Sequence, residues 1–313
     1  MTRTPTDVAV AVFIRPDGTF LLSSRPEGKP WPGYWEFPGG KIEPGETVLQ
    51  AMKRELIEEL NVAITAATPW FTFPMHYTHA TVRLHCWRVT EWTGDMRGME
   101  GQQFEWQRLG ALTVAPTLPG CVPIFNALGL PPVYAITNAG EVGVDAYLQR
   151  LDQALKRGLK LVQVREKKMS VDALVDFAQR VVALAKENGA RVLVNSDTEL
   201  ASRIKADGVH LTGEQLAQCD SRPDFPLAAA SVHSRAEIER AAALKLDFVA
   251  LGAVKPTLTH PNQTPLGWPR FAELVESTPL PVYALGGLTM DDMHDAQIAG
   301  AHGIAMRRGV FPA

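Results

Sequence analysis

Apolar positions along this chain follow one rhythm up to about residue 130 and another beyond it. Val8 to Ile14 is a strand-length apolar run, and Pro16-Asp17-Gly18 closes it. A fixed φ, a side chain that bonds its own backbone and a glycine together read as a turn. Phe20 to Ser24 then returns as the second arm of a hairpin. A Pro/Gly-rich loop (PEGKPWPGYW) leads to Gly39-Gly40, and Pro44-Gly45 marks another turn. From Thr47 onward Val48, Leu49, Met52, Leu56 and Leu60 recur at helical spacing. Trp70 to Phe73 and Thr81 to Glu91 are aromatic and β-branched strand candidates. Asn126 to Pro132 (NALGLPP) ends a short helix with Gly129 and two prolines that cannot continue it.

From Val133 the pattern becomes eight short apolar runs separated by amphipathic helices: VYAIT, LVQVR, RVLVN, GVHL, LAAAS, FVALG, VYALGG and GIAM. Runs of that length alternating with helices predict parallel β/α units, and eight of them close naturally into a (β/α)8 TIM barrel. A doubly wound open sheet is the alternative. The expected fold class is therefore α+β for residues 1–130 and α/β for residues 131–313, with hardly any linker between the two domains. Polar residues recur at the expected C-terminal strand ends: Gln163, Arg165, Lys167, Asn195, His210, Ser231, His233, Thr257 and Gly286-Gly287. In a barrel that end is the ligand mouth, and paired glycines after the seventh strand suit a phosphate held by main-chain N–H groups.

Composition narrows the function classes. The chain has 313 residues, 46% hydrophobic and 21% charged, which describes ample globular core. A net charge of −3 argues against a nucleic acid polymer as partner. Cys86, Cys121 and Cys219 lie far apart without a CxxC spacing, as in a reducing cytoplasm and without structural zinc. No run of about 18 apolar residues predicts a membrane span, and the N-terminus has no signal-peptide cleavage pattern.

The helix from Thr47 holds the first chemistry. Glu55, Glu58 and Glu59 fall at i, i+3 and i+4, so three carboxylates crowd one face and Arg54 relieves only part of the repulsion. Such a cluster suits a hard divalent cation, which prefers oxygen ligands. Gly40, five residues, Glu46, seven residues, then Arg54-Glu55-Leu56-Ile57-Glu58-Glu59 resembles the box of the Nudix hydrolases. Where that box closes with a small residue this chain has Asn61, which also tolerates the left-handed conformation of a helix end. WEFPGGKIE and the loop GDMRGMEGQQFEW resemble the MutT-type branch, the 8-oxo-dGTP diphosphatases. The resemblance implies a Nudix fold, a mixed sheet with helices. It implies Mg²⁺ (or Mn²⁺) held by Glu58, Glu59, Glu100 and the carbonyl of Gly39, with Glu55 ordering or deprotonating the water. It also implies that Arg25 meets the substrate's phosphates or base edge and that Phe37 borders the base. Cys121 stands where that branch has an Asn that reads the purine edge, and a thiol is a poor substitute for a carboxamide.

VQVREK, ADGVHL, ASVHS, LGAVKPT and YALGGL resemble the thiamin-phosphate synthase/TenI family over nearly all of residues 133–313. That resemblance implies a pyrimidine-diphosphate side lined by Gln163, Arg165, Lys167 and Asn195, and a thiazole-phosphate side at Gly286-Gly287. His233 matches the His that TenI-type thiazole tautomerases use in proton transfer. The departures are at the metal carboxylates, where Ser196 and Gln215 stand (Asp197 lies one residue on), and at Thr257-Leu258-Thr259-His260, which lacks the synthase Lys. Arg307-Arg308 replaces a small Ser-containing turn, and the chain stops at Ala313 with no room for an eighth helix. Barrel surface left open there would need the first domain or a second subunit to cover it. The expected activity is Mg²⁺-dependent cleavage of 8-oxo-dGTP or a related nucleoside triphosphate, fused to a TenI-like barrel without synthase activity. The alternatives are a hydrolase of thiamin-related diphosphates coupled to a tautomerase or synthase, and a barrel that only binds a ligand such as a thiamin-precursor phosphate.

Overall fold

The computed structural model describes residues 5–77, 80–257 and 264–310. Chain contacts divide it into two compact units, residues 1–129 and 130–313.

The first unit has strands β1 (Thr6–Phe13), β2 (Phe20–Ser24), β3 (Trp35–Glu36), β4 (Gly39–Lys41), β5 (Ala63–His76), β6 (Thr81–Thr93) and β7 (Phe104–Gln107). Helix α1 (Val48–Leu60) follows β4 and α2 (Cys121–Leu128) follows β7. One sheet has the order β4-β1-β6-β5, with β1 and β6 parallel and the outer pairs antiparallel; the other is β3-β2-β7. β1 is buried on both faces, and its period-two alternation sorts the core. Ala9, Ala11 and Phe13 pack with Ala51, Met52, Leu56 and Leu60 of α1. Val10 and Val12 face the opposite layer, with Phe37, Trp70 and Cys121, Ile124 and Ala127 of α2.

Two strand expectations change. The β1–β2 hairpin reduces to a single bridge, Ile14 with Phe20, because β2 leaves to pair with β3 and β7. β5 is longer than Trp70–Phe73 and contains Pro69 and Pro74. It is an edge strand with register shifts at Ile64/Ala66, Ala66/Ala67 and Pro69/Phe71, and edges and bulges are where a sheet accepts proline.

The second unit runs β8 (Val133–Ile136), α3 (Ala139–Val142), α4 (Val144–Lys156), β9 (Leu161–Val164), α5 (Val171–Glu187), β10 (Arg191–Asn195), α6 (Thr198–Arg203), β11 (Gly208–Leu211), α7 (Gly213–Gln218), β12 (Leu227–Val232), α8 (Arg235–Ala243), β13 (Phe248–Gly252), α9 (Gly267–Val275), β14 (Val282–Leu285), α10 (Met293–Ile298) and β15 (Gly303–Met306). The eight strands are parallel and close on themselves, β8 pairing with both β9 and β15. Closure excludes the doubly wound sheet. Inward residues form a small aromatic core of Tyr134, Phe248 and Tyr283 with Leu130, Leu161, Leu193 and Leu227. Leu130 belongs to this unit, and its carbonyl accepts a hydrogen bond from His302 Nε2 at 2.9 Å. Outward residues such as Val162, Val194, Val249 and Ile304 form the thicker apolar layer under the helices. All four residues of β15 are buried, with Ile304 and Met306 in that layer. Among the described residues no helix is long and apolar enough to cross a membrane.

Leu56 anchors α1 to the first unit's core and is fully buried. Leu56→Ala is expected to cost about 2–5 kcal/mol, read as a lowered urea midpoint. An unchanged midpoint would mean that α1 is not held by this layer.

Candidate functional site

Helix α1 begins with a capping box, Thr47 with Gln50, and ends at Asn61 in the left-handed conformation, φ 56°. These ends fix which residues face the β4 turn. Gly40 has no side chain because Glu55 lies there: a Cβ on Gly40 would stand 2.0 Å from the Glu55 carboxyl carbon. Arg54 binds Glu46 through two nitrogens at 2.8 Å, Glu55 at 2.8 Å and Glu58 at 3.4 Å, and donates to the Lys41 carbonyl at 3.0 Å. That guanidinium, with the backbone N–H of Glu43, holds Glu46 down to about 2.

The loop before β7 docks on the end of α1 and brings in Glu100. Arg97 N and Met99 N donate to the carbonyls of Leu60 and Glu59 at 2.9 Å each, satisfying acceptors the helix end leaves open. Buried Gln102 reaches the Glu59 carbonyl with its amide nitrogen and receives Glu100 N–H on its oxygen, both at 2.7 Å. Glu100 and Glu59 then share Lys29, whose Nζ lies 2.5 Å from Glu100 and 3.4 Å from Glu59. Burial pushes Glu59 up to about 7 against the pull of Lys29, and the charges of Glu55 and Glu100 add to the rise. Among the described residues no three acidic or imidazole groups close on one point as they stand. The donors nevertheless fit a hard divalent cation: all are oxygens, and side-chain cations already sit between them.

Beside this lies a small cavity of about 60 Å³, lined in part by Glu36, Phe37, Gly39, Tyr77 and Cys121. Phe37 packs against Phe20 and Phe125 with ring centroids 5.7 Å apart. Arg25 is turned to Glu36 at 2.5 Å and to the Pro30 carbonyl at 2.6 Å. Cys121 Sγ faces the Trp35 carbonyl at 3.7 Å, and burial, with the Glu36 charge, pushes the thiol up to about 12. It is a neutral, weak donor.

In the barrel a cavity of about 580 Å³ opens at the C-terminal strand ends. It gathers Gln163, Arg165, Lys167, Asn195, His210, Ser231, His233, Thr257, Gly286 and Gly287. Strand alternation explains VQVREK: Gln163, Arg165 and Lys167 face the cavity. Glu166 points the other way and caps α3, accepting from Ala139 N at 2.7 Å and Gly140 N at 3.0 Å. Gly286 and Gly287 have φ of 103° and 66°, and Cβ atoms there would meet Ala253 at 2.5 Å and the Pro256 carbonyl at 2.3 Å. Only glycine fits both demands. His233 Nδ1 lies 2.9 Å from the Gly252 carbonyl. A carbonyl only accepts, so Nδ1 carries a proton and Nε2 is the ring nitrogen left to the cavity.

Under the cavity runs a buried chain. Gln163 Nε2 donates to Tyr134 Oη at 2.9 Å, Tyr134 Oη lies 3.2 Å from His210 Nδ1, and His210 Nε2 lies 2.9 Å from Ser231 Oγ. Burial, then the charge of Arg165, pushes His210 down to about 3, so the ring is neutral. The residues at the expected metal positions do other work. Gln215 pairs with Thr212 in a capping box on α7 and donates to the Ser196 carbonyl at 2.7 Å. Asp197 caps α6, accepting from Leu200 N at 2.8 Å. Leu258, Thr259 and His260 of the Thr-x-Thr loop lie outside the described residues.

Residues 133–310 match the family model of thiamine monophosphate synthase. The chain belongs to that family. Residues 5–122 match the NUDIX domain model, so a NUDIX domain precedes the synthase-type barrel and makes the chain a hydrolase of phosphoric anhydrides. Putative thiamine-phosphate synthase 2 of Aquifex aeolicus is 35% identical over 56% of this chain and 95% of its own length. Thiamine-phosphate synthase of Thioalkalivibrio sulfidiphilus is 31% identical over 57% of this chain and 87% of its own. A solved MutT from work on Aliivibrio salmonicida and Vibrio cholerae is 28% identical, covers 40% of this chain and 97% of its own, with a TM-score of 0.35.

Sequence reasoning did not find the roles of Lys29 and Gln102 in the NUDIX unit, or of Tyr134 and Glu166 in the barrel. Only Gln102, within the EGQ of the β7 loop, left a signal. The neutral His210 makes a prediction. The unfolded chain binds its proton below about 6.5, whereas the folded chain does so only below about 3. Stability from this group is complete above pH 6.5 and declines toward pH 3, by up to about 1.4 kcal/mol per pH unit. His210→Gln is expected to flatten that acid limb, read as urea midpoints by circular dichroism between pH 7 and 4.5. Parallel limbs in the two proteins would exclude a buried neutral His210.

Proposed function

We propose that the NUDIX unit cleaves 8-oxo-dGTP, or a related nucleoside triphosphate, to the monophosphate and pyrophosphate. The observation that carries this reading is the Lys29 ammonium captured between Glu59 and Glu100, beside Glu55 and Glu58 on Arg54. Crowded carboxylates are drawing on side-chain cations, and Glu58, Glu59, Glu100 and the Gly39 carbonyl are the groups to hold Mg²⁺ (or Mn²⁺). Bound there, such an ion would supply charge neutralisation at adjacent phosphates and would make the attacking water easier to deprotonate. Glu55, confined between Gly40 and Arg54, orients the attacking water and takes its proton at a carboxylate oxygen. Phe37 borders the base.

Cys121 favours a second reading. A protonated thiol occupied with the Trp35 carbonyl offers no carboxamide to a purine edge, and a site without that partner loses base discrimination. The substrate is then a thiamin-related diphosphate, with the barrel receiving the product. In either case the barrel binds thiamin-precursor phosphates, and His233, held through Nδ1 with Nε2 left to the cavity, is the group for proton transfer as in a tautomerisation. Condensation is not proposed, because Ser196 and Gln215 bring no carboxylate to the cavity.

Pyrophosphate release from 8-oxo-dGTP, dGTP and thiamin diphosphate, measured side by side, is expected to be fastest for the oxidised purine. Preference for the thiamin compound would replace the first reading by the second. Glu55→Gln is expected to lower kcat by roughly 100- to 10,000-fold. Glu58→Gln, at a side chain 57% exposed, is expected to abolish metal-dependent turnover without changing the melting temperature. Retained turnover would remove the metal-site assignment. Full-length protein given pyrimidine diphosphate and thiazole phosphate is expected to form no thiamin phosphate, and product formation would show a synthase.

A further inference from the structure

The barrel cavity is strongly cationic. Arg165, Lys167, Arg307 and Arg308 line it, and no Asp or Glu does. Arg165 and Lys167 make no ion pair among the described residues. Glu166, next in sequence to both, spends its carboxylate on the N–H groups of α3. Arg307 and Arg308 share one carboxylate, Glu141: Arg307 Nη1 lies 2.9 Å from it, and Arg308 binds it twice, at 2.6 and 2.8 Å. Lys255 is neutralised elsewhere, by Asp292 at 2.5 Å.

Thr137 couples the two arginines across the mouth. It follows β8, which lies between β15 and β9 in the barrel, so Arg307 and Arg165 leave the strands on either side of it. Thr137 Oγ1 accepts from Arg165 N at 2.9 Å, and its carbonyl accepts from Arg307 Nε at 3.4 Å. Among the described residues Arg307 thereby keeps Nη2 without a protein partner. Like charges held near each other in a half-buried cleft repel unless an anion lies between them.

We propose that Arg307, with Arg165 and Lys167, forms a metal-independent site for the phosphate or diphosphate of the barrel's ligand. The guanidinium does here what a carboxylate-held metal does elsewhere: it neutralises phosphate oxygens, with a planar fork suited to two of them at once. Among the described residues no carboxylate lines the mouth to hold a metal, and the guanidinium supplies positive charge there without one. The deeper wall supplies apolar surface through Ile136, Ala250, Leu285 and Ala305, which suits a small flat ring on the phosphate. The inference rests on reading the barrel as a phosphate-ligand domain.

The test is titration calorimetry of the full-length protein with inorganic pyrophosphate, first in EDTA and then with Mg²⁺. The wild type is expected to bind in EDTA. Arg307→Gln is expected to bind at least about tenfold more weakly, the loss of a charge-assisted contact, and Arg307→Lys to recover part of that. Melting temperatures serve as the check that both variants fold. Binding that appears only with Mg²⁺, or that is equal in Arg307→Gln and wild type, overturns the Arg307 site but leaves the phosphate-ligand reading standing. No binding under either condition sinks that reading and the inference with it.

Discussion

Like charges brought close together in a partly buried place need a counter-charge, and both units of this protein are arranged around that constraint. In the NUDIX unit the crowded groups are carboxylates, and Arg54 and Lys29 answer them. In the barrel they are guanidinium and ammonium groups, answered among the described residues by Glu141 alone. Coulomb repulsion in such places is strong enough to matter beside a folding stability of about 5–15 kcal/mol. Each site is therefore an imbalance of charge, and the two proposed ligands, a cation in the first and a phosphate in the second, have the sign that would relieve it.

The scaffold makes the imbalance tolerable. Helix α1 is capped at both ends and its apolar stripe is buried against Ala9, Ala11 and Phe13, so the carboxylates cannot move apart by unwinding it. Gln102 and the helix-end carbonyls hold the Glu100 loop to the same helix. The barrel uses closure instead. Eight parallel strands leave no free edge, and their outward residues are sealed under helices, so the polar strand ends are fixed in a ring. Inside that ring the neutral chain from Gln163 through Tyr134 and His210 to Ser231 satisfies polar groups that burial would otherwise penalise.

The departures from the two family patterns acquire physical content in the fold. Gln215, at a place where the resemblance implies a carboxylate, is a helix cap tied to the Ser196 carbonyl. Cys121, where it implies a carboxamide, is a buried thiol against Trp35. In each case the side chain is engaged with the protein's own backbone. Arg307 differs: among the described residues its Nη2 has no protein partner, and the proposed phosphate site rests on that nitrogen.

Period and spacing determined much in advance. The eight apolar runs lie on the eight barrel strands, because strand-length runs between helices can be buried on both faces only in a parallel sheet. The Glu55, Glu58 and Glu59 cluster and the left-handed Asn61 followed from helical geometry and the backbone freedom of asparagine. Local pattern could not reach what depends on pairing across the chain. It proposed a β1–β2 hairpin that the sheets divide, and it favoured the closed barrel from the count of eight units without reaching the contact of the first strand with the last that closes it. Nor could it place Lys29 between Glu59 and Glu100, or Arg307 beside Arg165, which are far apart in sequence and are brought together only by folding. The sequence determined which residues carry charge and on which face of their own element. Tertiary structure decided which charges meet, because electrostatic energy depends on distance in space.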